Sequence, residues 1–340
     1  MQAAGSHDLD GLEPREGPLF LSVIVPMFNE EEAIDAFFDA TLPVLDETAE
    51  RFEIICVDDG SRDRTVARVR ARAAEEPSIR LLELTRNFGK EAALTAGFAH
   101  VSGNAVVSID ADLQQRPENI RAMIERWREG WDVVNARRTH RASDSATRGF
   151  LSRRFYRMFN SIADVPIPAE TSDFRLFDRA VVEALLTLPE SGRFMKGLFS
   201  WVGFRVTSID YEHLDRSAGQ SSFKLWKLWN FALDGITAFS TLPLRIWSYV
   251  GLAVALLAFA YGSFIILRTL FFGVDVPGYP SLLVVVLFLG GIQLISLGVL
   301  GEYVGRIMLE TKRRPVYLVR RRTGFEDEAD TKHRIDRAAE

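Results

Sequence analysis

Apolar positions in the first two thirds of the chain fall in short runs separated by longer amphipathic stretches. The runs LSVIV (21–25), FEIICV (52–57), IRLLEL (79–84), AVVSI (105–109) and DVVNA (132–136) predict strands, being short and mostly rich in β-branched residues. Between the first two, 30–42 sets Ile34, Phe37, Phe38 and Leu42 at helical spacing, with Asn29 as expected N-cap and Glu32 three residues on. Stretches 65–74, 90–100 and 117–129 predict further helices, and Pro117 suits a first helical turn. Such alternation predicts an α/β domain with a mostly parallel sheet covered by helices.

Further along, the pattern changes. Segments 246–267 and 276–301 carry no charged residue, and only Arg268 and Asp275 interrupt the stretch between them. A bilayer core takes about 20 apolar residues in a helix, so each segment is long enough to span, and the short connection makes them a hairpin. Arg245 precedes the pair; Lys312, Arg313, Arg314, Arg320, Arg321 and Arg322 follow it, which places both ends in the cytoplasm. Trp247, Tyr249 and Tyr303 fall near the expected interfaces. Segments 149–162 and 223–239 mix arginine or lysine with Phe, Tyr, Trp and Leu, as helices lying in a membrane interface do.

Composition adds exclusions. With 41 basic and 46 acidic residues the net charge is −5, which argues against a nucleic-acid partner. One cysteine, Cys56, rules out a disulfide framework within the chain and fits a reducing cytosol. Residues 1–18 are polar and lack the apolar core of a signal peptide, so they predict a disordered tail. The expected organisation is a tail (1–18), a catalytic α/β domain (19–222), a juxtamembrane segment (223–244), a two-helix membrane region (245–301) and a cytoplasmic C-terminal tail (302–340).

Ligands of parallel α/β sheets bind beyond the carboxyl ends of strands. There the chain carries Pro26-Met27-Phe28-Asn29-Glu30 after the first strand, Asp58-Asp59-Gly60-Ser61 after the second and Asp110-Ala111-Asp112-Leu113-Gln114 after the fourth. In extended chain, residues two apart point the same way, so Asp110 and Asp112 can aim at one place. Two hard carboxylates suit Mg²⁺ or Mn²⁺, with a diphosphate completing the shell. No G-x-G-x-x-G follows the first strand, and Gly89-Lys90 lacks the upstream glycine of a Walker A loop.

The runs PMFNEEEAI, VDDGSRDRT, LTRNFGKEAALTAGF and DADLQQRPE resemble glycosyltransferase family 2, whose fold is GT-A, a Rossmann-like α/β domain. DFRLFDR, RFMKGLFSWVGF, AGQSSFKLWKL, DGITAFSTLPLR and GEYVGRIMLETKRRPVY are similar to its polyprenyl-phosphate branch, in particular undecaprenyl-phosphate glycosyltransferases with two C-terminal membrane helices. The resemblance covers roughly 19–319. It implies that Pro26, Phe28, Asn29 and Glu30 line the nucleotide pocket, that Asp58 and Asp59 contact base and ribose near Ser61, and that Asp110 and Asp112 hold the metal beside Gln114. Asp173 and Arg175 would face the reacting sugar and phosphates, Asp173 either as a catalytic carboxylate or as a residue orienting Arg175. Phe28 stands where many relatives have Tyr, and Gln115 where they have Asp.

The implied reaction is inverting transfer of a sugar from a nucleotide-sugar to a polyprenyl phosphate, with UDP-glucose the first donor to test and other hexoses and modified arabinose open. Such a site must bring two polyanions together, and Arg137, Arg138, Arg148, Arg153, Arg154, Arg175 and Lys196 are candidates to offset their repulsion. A homo-oligomer, tetrameric by analogy, is implied as well. A processive polysaccharide synthase would carry Q-x-x-R-W and more spans, and Arg126-Trp127 lacks the upstream Gln. A catalytically inactive membrane scaffold on the same fold is the other alternative, disfavoured by the intact Asp110 and Asp112.

Overall fold

The computed structural model describes residues 12–138, 171–190, 193, 195–211, 242–272 and 278–325. They fall into two compact units. The first holds the α/β domain together with 315–325; the second holds 242–272 and 278–314.

The first unit is built on one eight-stranded sheet. Its strands are β1 (Phe20–Met27), β2 (Arg51–Asp58), β3 (Ile79–Leu84), β4 (Ala105–Ser108), β5 (Val133–Arg138), β6 (Thr171–Asp178), β7 (Val206–Tyr211) and β8 (Val319–Thr323). The order is β7-β5-β6-β4-β1-β2-β3-β8. β4, β1, β2 and β3 run parallel, so their carboxyl ends share one edge. β6 lies antiparallel between β4 and β5, and β8 pairs antiparallel with β3, so the sheet is mixed. Helices α1 (Ile34–Thr48), α2 (Thr65–Glu75), α3 (Lys90–Phe98), α4 (Asn119–Arg128), α5 (Arg179–Thr187) and α6 (Met195–Trp201) complete the unit. Burial on both faces explains why the central strands read as unbroken apolar runs. Leu21, Val23, Ile24 and Val25 of β1 are wholly buried, as are Phe37 and Phe38 of α1.

All five expected strands are present, and β6, β7 and β8 are additional to them. Helix α1 starts later than expected. Its cap is Ala33, without a side-chain cap, and Asn29 instead adopts a left-handed backbone with φ 57°. Helix α4 starts at Asn119, and the Pro117 carbonyl accepts from the Ile120 amide. The expected N-terminal tail is docked from its later part. Arg15 reaches Asp132 at 2.6 Å and Asp178 at 3.0 Å and stacks over the Trp127 ring. The expected C-terminal tail likewise contributes β8, because strand β3 would otherwise leave an unpaired edge.

The second unit comprises α7 (Leu242–Phe272) and α8 (Tyr279–Thr311). Expected span 246–267 falls within α7, and most of 276–301 within α8. Leu256, Phe259, Leu294 and Leu297 are exposed apolar side chains on these helices. Among the described residues, one helix segment, Phe288–Thr311, is long and apolar enough to cross a membrane. The amphipathic stretches 149–162 and 223–239 lie outside the described residues.

Helix α3 approaches β1 closely at Gly97. A Cβ there would stand 2.4 Å from Ile24 Cγ2, a methyl of a stiff β-branched side chain. Alanine would gain up to about 1 kcal/mol in helix propensity, whereas overpacking a filled core costs about 1–3 kcal/mol. Gly97→Ala is therefore expected to lower the thermal unfolding midpoint of the detergent-solubilised protein. A raised midpoint would refute the close approach.

Candidate active site

Sheet order reverses direction at β1: β2 and β3 lie on one side of it and β4 on the other. This switch point opens a crevice at the carboxyl edge of a parallel sheet, and the loops after β1, β2, β3 and β4 crowd into it. Hydrogen bonds interlock them. The Asn29 amide donates to Ser61 Oγ at 2.9 Å, and the Arg62 amide returns to Asn29 Oδ1 at 2.9 Å. The Glu30 amide donates to Thr65 Oγ1 at 2.8 Å. Gly60 has φ 76°, and a Cβ there would lie 2.8 Å from the backbone of Arg86 and Asn87. Only glycine allows the loops after β2 and β3 to meet this closely.

Asp59 ties these loops to the next helix. Its two oxygens accept from the Phe88 amide at 2.7 Å and the Gly89 amide at 2.8 Å. The carboxylate is buried, and its visible task is to hold 88–89, just ahead of α3. Asp58, also buried, accepts from the Gly60 and Ser61 amides at 3.2 Å. Burial pushes its carboxyl above the ordinary value, opposed by those bonds and reinforced by repulsion from Glu83.

At the head of α3, Lys90 Nζ lies 2.6 Å from Asp110 Oδ1 and 2.8 Å from Asp173 Oδ2. One ammonium thus bridges the acid at the end of β4 and an acid on β6. Burial alone would lower the Lys90 pKa, but the Asp110 and Asp173 carboxylates outweigh it and hold the amine protonated. Burial pushes Asp110 up, Lys90 draws it down, and Asp173 and Asp112 repel it. Gln115, where relatives were expected to carry Asp, is buried and accepts from the Asp110 amide through Oε1 at 3.3 Å. It orients Asp110 without adding negative charge. Asp112 Oδ1 accepts from the Gln114 amide at 3.1 Å, and Leu113 between them has φ 55°, an uncommon conformation for a leucine.

Asp110 and Asp112 are hard oxygen donors, as a divalent cation requires. Among the described residues no group of three or more His, Cys, Asp or Glu is arranged to hold a metal. The pair would therefore need ligand oxygens to complete the shell, which is how Mg²⁺ is commonly bound. Gln114 Nε2 is buried with no hydrogen-bond partner among the described residues. It leaves a donor for a ligand oxygen beside the acids, so the donor set fits a cation–diphosphate.

A pocket of about 650 Å³ opens at the ends of β1, β2 and β3, within the range of small-ligand sites. Phe28, Asp58 and Ser61 line it, together with Arg86, Asn87, Arg320 and Arg321. Pro26 sits half-buried in β1, and Glu30 follows Asn29 in the adjoining loop.

Arg175 on β6 is buried with its guanidinium 4.8 Å from the centre of the Phe199 ring. Arg137 closes a two-pronged ion pair on Asp210, at 2.7 and 3.0 Å. That guanidinium holds the Asp210 carboxyl below its usual value, so its fork is already engaged by a carboxylate. Lys196 lies on α6. Arg148, Arg153 and Arg154 lie outside the described residues.

Sequence reasoning missed Lys90 and the β8 arginines. Lys90 has no Walker A context in the sequence, although its place after a third strand-end loop is a usable signal. Nothing local in Arg320 and Arg321 distinguished them from membrane-flanking charge.

An acid cluster and a polar pocket at the switch edge of a mixed sheet, without a glycine-rich phosphate loop, define a GT-A-type glycosyltransferase domain. Residues 22–186 match Glycosyl transferase family 2, and 242–307 match the GtrB C-terminal hairpin. The chain is 50% identical to an uncharacterized glycosyltransferase of Synechocystis sp. over 306 residues, covering 90% of this chain and 96% of that one. It is 48% identical to a prophage bactoprenol glucosyl transferase homolog of Escherichia coli (strain K12), over 88% of this chain and 98% of that one. A solved glucosyl-3-phosphoglycerate synthase from Mycobacterium tuberculosis is 22% identical, over 64% of this chain and 78% of its own, with a TM-score of 0.43; it is too distant to inform on the site. The chain belongs to glycosyl transferase family 2, in its polyprenyl-phosphate subfamily, and is a glycosyltransferase.

Asp59→Asn would replace one amide acceptor with an NH₂ donor facing a loop amide. An unmet buried hydrogen bond costs about 1–3 kcal/mol, so amide exchange in 86–90 is expected to quicken roughly tenfold by deuterium-exchange mass spectrometry. Unchanged exchange would show that Asp59 does not hold this loop.

Proposed function

We propose that the protein transfers a sugar, glucose from UDP-glucose in the first instance, to a polyprenyl phosphate such as undecaprenyl phosphate at the cytoplasmic face of the cell membrane. The carrying observation is that Lys90, four residues along the chain from Arg86 in the pocket wall, bridges Asp110 and Asp173. The names of bactoprenol glucosyl transferase relatives support the acceptor.

In this reading, Phe28, Asp58 and Ser61 seat the nucleotide, and Asn29 braces the loop beneath it. Asp110 and Asp112 would hold Mg²⁺ or Mn²⁺, with Gln114 donating to a diphosphate oxygen. Bound there, the cation supplies Lewis-acid stabilisation of the leaving nucleoside diphosphate. Asp173 fixes Lys90, whose ammonium offsets negative charge where the two polyanions meet. A phosphate monoester has its second pKa near 6. The acceptor oxygen is therefore largely dianionic at pH 7 and attacks the anomeric carbon without a protein base. That assigns Asp173 a positioning role. In-line attack predicts inverted configuration at that carbon.

Helices α7 and α8 would form the membrane hairpin, with the catalytic domain and both termini in the cytoplasm. Lys312, Arg313 and Arg314 supply the flanking positive charge. A homo-oligomer, tetrameric by analogy, belongs to the same reading.

The test is transfer to undecaprenyl phosphate from a donor panel by purified protein, with and without EDTA. Transfer is expected to stop in EDTA and return with Mg²⁺ or Mn²⁺, and Asp112→Ala is expected to lower kcat about a hundredfold or more. In parallel, Mn²⁺ binding in the presence of UDP, followed by electron paramagnetic resonance, should weaken in Asp112→Ala. Activity indifferent to EDTA and to Asp112→Ala would defeat the metal assignment. A retained anomeric configuration by NMR would defeat direct displacement.

A further inference from the structure

Strand β8 belongs to the catalytic unit in space yet follows the hairpin helices in sequence. It also lies beyond both matched family segments, which end at 186 and 307. Several contacts fix its register. It pairs Glu83 with Arg321 and Leu82 with Arg322, and the Thr85 amide donates to the Leu318 carbonyl at 2.9 Å. Just past it, the Phe325 ring packs on His100 at 5.6 Å and under the Arg80 guanidinium at 5.4 Å. Held this way, Arg320 and Arg321 form part of the pocket wall.

Five arginines line that pocket (62, 70, 86, 320 and 321) against two carboxylates, Asp58 and Glu83. Arg70 is paired with Glu83. Among the described residues, Arg62, Arg320 and Arg321 have no ion-pair partner. Guanidinium carries only donors, so this wall offers an excess of donors and few acceptors.

Sheet order says which part of a nucleotide would meet it. In the proposed reading, on which this inference rests, the diphosphate lies at Asp110 and Asp112 after β4. β8 is four strand spacings from β4, or about 19 Å. The β8 wall is therefore remote from the phosphates and stands at the base end. Bases differ there in hydrogen-bonding sense. Uracil and guanine present keto oxygens as acceptors where cytosine and adenine present amino donors.

We propose that Arg320 and Arg321 read the nucleobase of the donor, so that the strand returning from the hairpin selects a keto base. A guanidinium facing a keto oxygen makes a charge-assisted hydrogen bond. Facing an amino group, it sets donor against donor.

UDP and CDP differ only along this edge, where uracil has a keto oxygen beside an N3–H and cytosine an amino group beside a bare N3, and they make the test. Binding of each is measured by calorimetry to the full-length protein in detergent, with GDP and ADP as a second keto–amino pair. The protein is expected to favour UDP over CDP, or GDP over ADP, at least about tenfold, the scale of one good base contact. Arg320→Gln with Arg321→Gln keeps polar side chains that donate and accept alike. In this variant the preference should fall below about threefold, with the KM for undecaprenyl phosphate unchanged. Arg320→Lys with Arg321→Lys, which keeps donors only, should restore part of it.

An undiminished keto preference in the Gln variant overturns the proposal. So does an equal weakening of both partners of a pair, which would signal a merely structural strand. Wild-type protein that binds none of the four sinks this inference and the proposed function together. Base discrimination that persists without any transfer to undecaprenyl phosphate would sink the acceptor assignment alone.

Discussion

The Asp59 carboxylate, by accepting from the Phe88 and Gly89 amides, fixes the chain immediately before Lys90. The site depends on that tie. A free loop after β3 would leave Lys90 unplaced, and Asp110 and Asp173 would face each other without a cation between them. The tie works because Gly60 lets the loops after β2 and β3 touch backbone to backbone. Its Cβ-less contact, the buried Asp59 and the head of α3 act as one support.

Charge is distributed unevenly along this edge. Around the end of β4, three carboxylates gather: Asp110 and Asp173 on the Lys90 ammonium, and Asp112 close enough to repel Asp110. Around the ends of β2, β3 and β8, arginines outnumber acids. An excess of carboxylate suits a site that takes up a cation with its ligand. An excess of guanidinium suits contacts to ligand acceptors. The two ends of one crevice are thus prepared for different parts of a donor molecule, a division that follows from which strand ends neighbour each other.

Polar pairs between residues distant in sequence also set elements that the sequence did not mark. Arg15, in a stretch whose composition reads as a tail, is held by Asp132, Asp178 and two carbonyls near Trp127. Arg137, expected beside the acceptor phosphate, pairs with Asp210. In both cases a carboxylate far away in sequence decides the fate of an arginine, and only the fold brings it within reach.

The alternating strands and helices, the acids at strand ends and the family are legible in the amino-acid order alone. Each of these rests on short-range periodicity, or on motifs whose residues stand next to one another in the chain. It also put Phe28, Asp58, Ser61 and Asp110 at the right edge, because strand ends can be read from where apolar runs stop. Tertiary structure decided the partners: Lys90 between Asp110 and Asp173, Asp59 on loop amides, Gln115 on Asp110, and β8 on β3. Such pairings join residues tens to hundreds of positions apart. A charged residue in a polar stretch carries no mark of which distant group it will meet, so they become visible only when the sheet sets its strand order.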